Sequence, residues 1–192
     1  SRRDLVPDPS PVPQGKIAEE GGCGVVGFAA SVPVRGRHIF EPSIQMHNRG
    51  NGKGGGIAAA ALNPAQLGVD AATLRDDYML QVALLDPDAE GEVEKACVAS
   101  CLRVDHKTRL EPRADWRDLG LEVQPPDIVR YFVRVQEDAL ERFAEQNGLA
   151  GAPARAVEDE LVYRNSYQLN QQYYASLGEK RAFVLSHGRN VA

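Results

Sequence analysis

The chain has 192 residues, 43% of them hydrophobic and 26% charged, with a formal net charge of -5; this composition supports one sizeable core and excludes a disordered tail. No basic run is dense enough to neutralise a row of phosphates, which argues against a nucleic-acid partner, and the longest apolar runs fall far short of the roughly 20 residues of a membrane-spanning helix. Three cysteines make no disulfide framework, and without a signal-peptide pattern the expected location is cytoplasmic.

Residues 1–22 carry Pro7, Pro9, Pro11 and Pro13, then Lys16, Glu19 and Glu20, and read as an extended leader with little to bury. Residues 24–30 form a continuous apolar run, expected to be a strand covered on both faces. The spacing of Ile39, Phe40, Ile44 and Met46 predicts a short helix with Pro42 in its first turn. A glycine loop, residues 50–56, leads to a second expected buried strand over 57–62.

Residues 78–85 predict a further strand, and 88–102, rich in alanine and glutamate, a helix. Residues 105–127 look irregular. "VRYFVRV", residues 129–135, alternates apolar and basic residues as a half-buried strand does, and 138–146 predict an amphipathic helix stopped by Asn147-Gly148. A loop of alanine, glycine and proline follows, then strand and helix over 160–177, and a short strand over 182–185 before the turn "SHGRN".

The residue with most chemistry in it is Cys23, set between glycines in "GGCGVVGF". Glycine neighbours let a substrate or backbone approach the sulfur closely, although a cysteine opening a buried strand more commonly serves as a small hydrophobe. Cys97 and Cys101, four apart on one helical face, read as core; with His106 as the one nearby histidine they make a poor metal site. His47 and His187 each stand beside a turn, where a histidine is ordinarily a satisfied polar residue. Gly50-Asn51-Gly52-Lys53-Gly54-Gly55 fits the spacing of a dinucleotide loop, but a strand-like run follows it where that fingerprint needs a helix.

"CGVVGF" followed by "HNRGNGKGGGIA" resembles the opening of the class II glutamine amidotransferases, a family of N-terminal-nucleophile hydrolases. With "YFVRV", "VYRNS" and "LGEKRAFVLSHGRN" added, residues 21–192 are most similar to the amidotransferase domain or subunit of archaeal-type glutamate synthases. The resemblance implies an α+β fold, the four-layer αββα sandwich, incomplete in this chain. It implies a leader, 1–22, removed as a propeptide, and an amidotransferase domain, 23–192, that stops before its end. Cys23 is then the catalytic nucleophile and its own freed α-amine the base. Arg49 and Gly50 are the expected substrate-binding residues, with Arg49 and Lys53 structural or at the pocket rim.

The implied function is hydrolysis of glutamine to glutamate and ammonia through a thioester, in nitrogen metabolism and glutamate biosynthesis. Ammonia would pass to a glutamate synthase-type partner domain or subunit; FMN and iron–sulfur centres would sit in that partner, and no cofactor or metal in this chain. The family's His-x-Arg-Tyr-(Pro/Ser)-Thr segment, which holds the substrate carboxylate, and its His-Asn-Gly-Glu oxyanion segment do not occur in these 192 residues. They are expected just beyond "SHGRN", so the chain alone should be poorly active. The alternative is a catalytically silent assembly or regulatory module of the same fold. The oligomeric state is left open.

Overall fold

The computed structural model describes residues 24–47, 55–175 and 178–191. The chain divides into two units, Ser1–Ile57 and Ala58–Ala192.

In the described part of the first unit the one regular segment is a 3-10 turn, Gly36–Ile39, running into helix α1, Phe40–His47. Pro42 sits in the first turn of α1, where a helix has no use for the missing N–H. The strand expected over 24–30 is not formed: the backbone there joins no ladder, Val25 is 91% exposed and Phe28 also faces solvent. An apolar run becomes a strand only when a neighbouring backbone takes its hydrogen bonds, and none of the described residues does so.

The second unit is a mixed α+β structure around one antiparallel sheet of four strands, in the order β2-β3-β1-β4. The strands are β1 Tyr78–Leu84, β2 Leu102–Leu110, β3 Asp127–Val135 and β4 Ala182–Gly188. Its helices are α2 Pro64–Leu67, α3 Ala71–Asp76, α4 Glu90–Val93, α5 Glu137–Gln146 and α6 Ala154–Tyr173. Asn63 and Asp70 cap α2 and α3 through their side-chain oxygens, and a π-turn, Glu94–Val98, extends α4.

Alternate residues of the strands point to opposite faces. Leu80, Val82 and Leu84 of β1, Val129, Tyr131 and Val133 of β3, Leu102 of β2 and Ala182 of β4 share one face. They are buried with Val93, Cys97 and Val98 from the α4 region and Leu161, Val162, Leu169 and Tyr173 of α6. Burial of this face is the main source of stability, at about 25 cal/mol per Å² of apolar surface removed from water. On the opposite face a smaller cluster, Leu74, Met79 and Phe132, packs with Leu62, Leu67 and Val69.

Strands β1, β3 and β4 stand where the apolar periodicity puts them, as does α5, whose chain turns at Gly148 with φ +66°. Three expectations are corrected. Residues 105–127 are not all irregular, because β2 occupies the segment up to Leu110; as an edge strand it alternates charged and half-buried residues, so it carries little apolar signal. Residues 160–177 are not strand then helix, since α6 runs unbroken to Tyr173, its buried Val157, Leu161, Ser166, Leu169 and Tyr173 following the helical period. Residues 57–62 form no buried strand beyond one isolated bridge, Ala60 with Val191; a run made mostly of alanine has low strand propensity and buries little area.

Candidate functional site

The expected catalytic residue Cys23, the expected substrate-binding residues Arg49 and Gly50, and Lys53 lie outside the described residues, as does the Gly22–Cys23 junction. Of the neighbouring glycines that are described, Gly27, Gly55 and Gly56 each have open space where a Cβ would stand, so close approach does not require glycine at those three positions.

Cys97 lies in the main core and Cys101 packs against it. Burial pushes the Cys97 thiol up to about 11 and raises Cys101 as well, which makes both poor nucleophiles near neutral pH. His106 does not join them. It sits on β2, with Nε2 2.9 Å from Thr108 Oγ1 and its ring against Phe132. Among the described residues no group of three His, Cys, Asp or Glu side chains is placed to hold a metal ion.

His187 is brought to a groove of about 360 Å³ between α6 and β4, with Tyr163, Ser166, Tyr167, Asn170 and Ser186. Burial lowers the His187 pKa and favours the neutral ring, which meets Tyr163 edge to face at 6.3 Å. Asn170 Oδ1 accepts from the Val184 backbone N–H at 2.7 Å. The buried Ser166 hydroxyl has no partner among the described residues. Among the described residues the lining carries no formal charge and no acid to orient His187. Sequence reasoning missed the α6 side of this groove because it broke that helix; the i, i+4 pairs Tyr163/Tyr167 and Ser166/Asn170 were the usable signal.

Charge collects elsewhere. Arg189, 11% exposed, stacks 3.9 Å over the Tyr78 ring and pairs with Glu158 and Asp159 beside a cleft of about 260 Å³. Tyr78 donates to Asp159, and burial first, then that bond, raise its pKa.

The sheet face opposite the main core is organised in rows. At one end Arg103 of β2 stands directly across from Arg134 of β3, an unfavourable pairing of like charges. The register shift between Val104 and His106 releases Asp105 from the ladder, and its carboxylate takes Arg103 Nε at 3.0 Å and Arg134 Nε at 3.1 Å. Asp77, fully buried, takes the same Arg134 Nε at 2.7 Å. Its other oxygen has no partner among the described residues. Burial, despite Arg134, holds the Asp77 pKa above the usual carboxylate value, with Asp105 adding to the rise.

Beyond the Met79–Phe132 cluster comes a second row in register across all four strands: Thr108, Arg130, Gln81 and Ser186. Gln81 accepts from Arg130 Nε at 3.1 Å and donates to Ser186 Oγ at 2.9 Å. Arg130 is half-buried on an inner strand, and burial lowers its pKa with no carboxylate to offset the effect among the described residues. Neither this row nor the Arg103–Asp105–Arg134–Asp77 chain was visible before the strands were placed.

No family model, no curated protein and no solved structure matches the chain.

Proposed function

We propose that the chain is the N-terminal part of a class II glutamine amidotransferase domain that supplies ammonia to a glutamate synthase-type partner. One observation carries the reading: "CGVVGF" and "HNRGNGKGGGIA" occur together and in the family's order. A mixed α+β unit with an antiparallel sheet is compatible with part of an αββα sandwich.

Removal of residues 1–22 would free the Cys23 α-amine, whose ordinary pKa of about 8 leaves a usable neutral fraction near pH 7. That amine takes the thiol proton, the sulfur attacks the glutamine side-chain carbonyl carbon, and the proton returns to the departing nitrogen as ammonia leaves. Water then cleaves the γ-glutamyl thioester, releasing glutamate and restoring the thiol. The acidity of the two described cysteines supports selectivity: with Cys97 raised to about 11 by burial and the half-buried Cys101 raised as well, neither thiol competes well for an electrophile.

The test is labelling with a diazo-ketone analogue of glutamine, with intact-mass and peptide mapping, together with glutaminase assay of the mature full-length polypeptide and its Cys23→Ala variant. The expected result is one adduct, on Cys23, and loss of activity by about 10³-fold or more in C23A. Undiminished glutamine hydrolysis by C23A would end the proposal. Absence of labelling in a mature, folded protein with the leader removed favours the silent module.

A further inference from the structure

We propose that the groove between α6 and the open edge of β4 binds a short, uncharged peptide segment in extended conformation, with an apolar side chain at its centre. The proposal is independent of the amidotransferase reading.

The sheet order leaves β2 and β4 as the two edges. An exposed edge invites pairing with another backbone unless charge blunts it. β2 carries Arg103, Asp105, Lys107 and Arg109, whereas β4 carries no Asp, Glu, Lys or Arg. Four consecutive residues of β4, Val184 to His187, line the groove, so an occupant meets the edge of the strand and not one face of the sheet.

At Val184 the backbone faces away from the sheet: the residue stands opposite Val82 of β1, yet its N–H donates to Asn170 Oδ1 on the α6 side. His187 stands opposite Leu80, two residues along β1, so its own N–H and C=O turn outward as well. Neither meets a loop, helix or side-chain partner among the described residues. An outward donor and acceptor on one residue are what an added strand pairs with.

Asn170 limits the length of that pairing. With the Val184 N–H taken, a full seven-residue strand from a second copy would lose a rung, and about 360 Å³ lies at the small end of ligand pockets, roughly 300–1,000 Å³. The occupant is therefore a few residues long. Its central residue, paired with His187, directs its side chain to the face where the His187 ring meets Tyr163. Tyr163 and Tyr167, one helical turn apart and each more than half exposed, offer aromatic surface there, which selects an apolar side chain. Among the described residues the lining holds no Asp, Glu, Lys or Arg, and burial favours the neutral His187 ring, so charge complementarity selects an uncharged segment.

The experiment follows the backbone amide signals of the ¹⁵N-labelled full chain by NMR. The probes are acetyl-Thr-Phe-Thr-amide, the same peptide N-methylated at its Phe, and the same peptide with Asp in place of Phe. A saturable shift of the His187 amide is expected with the first. N-methylation, which removes one backbone donor, should weaken binding by up to about tenfold, and the Asp peptide should also bind more weakly. Tyr167→Ala, a change at an exposed position, should weaken the parent peptide without disturbing the rest of the spectrum. Equal binding of the parent and N-methylated peptides would remove the strand pairing, and equal binding of the Asp peptide would remove the apolar contact; either overturns the proposal, as does the lack of any saturable shift with the parent peptide. So does a His187 amide protected from solvent exchange before peptide is added: protection that grows with protein concentration would assign the edge to a second copy, and protection independent of it to a segment of the chain itself.

Discussion

Arg130 and Arg134 stand two strand repeats apart, on the same strand and the same sheet face, yet their surroundings are opposites. Arg134 donates its Nε–H to the buried Asp77 and has the bulged Asp105 carboxylate 3.1 Å away, which offsets the like charge of Arg103 directly across the ladder. Arg130 meets an amide oxygen and no carboxylate among the described residues. The difference separates two reasons for placing an arginine in a sheet. One is an internal counter-ion whose removal strands a buried acid; the other is a cation held by a neutral amide.

Substitution at Arg134 should have the larger effect. Arg134→Met leaves the buried Asp77 beside Asp105 without its own cation, and the largest loss of stability among these variants is expected at pH 7 by urea unfolding. The loss should shrink in acid, where Asp77 takes up a proton. A uniform loss across pH would mean that the side chain matters through packing alone.

Asp77→Asn comes next. The folded-state pKa of Asp77 is raised, so its linked stability is fully present below the ordinary aspartate value and is lost as pH rises through the raised one. Asparagine keeps an acceptor for Arg134 and cannot ionise. Thermal melts should therefore show a smaller fall for D77N than for wild type across that window. Glu90 provides the opposite sign: its hydrogen bond to Lys107, with Arg109 close by, lowers its pKa despite partial burial. Its contribution is present above the ordinary glutamate value and disappears as pH falls through the lowered one. A wild-type profile that rises toward neutral pH without the Asp77 component would weaken the contrast.

Arg130→Met should have the smallest effect, within about 1 kcal/mol and toward greater stability, because an apolar side chain replaces a partly desolvated charge. A loss as large as that of R134M would make the two arginines equivalent and erase the comparison. Urea unfolding of the two variants side by side reads this directly.

Much of the second unit was legible from local pattern. β1 and β3 announce themselves because their apolar side chains recur at the strand period, and α5 because Asn147-Gly148 stops it where Gly148 takes a positive φ. The failures share one cause. Residues 24–30 and 57–62 have apolar sequence without a neighbouring ladder, while β2 has a ladder with little apolar sequence, its ends paired to β3 through Leu102 and Leu110. Strand formation is decided between segments, and neither segment carries that information alone.

The same limit applies to the chemistry. The glycine-flanked Cys23 and the linked glycine motif are properties of contiguous residues, which is why they could be read directly and why they carry the functional proposal. The alternation in "VRYFVRV" likewise determined that Arg130 and Arg134 share a face. Only the tertiary structure decided that Asp77 meets Arg134 and that Gln81 meets Arg130, because electrostatic partners are chosen by strand register across long loops, and charge acts through space without regard to position in the chain.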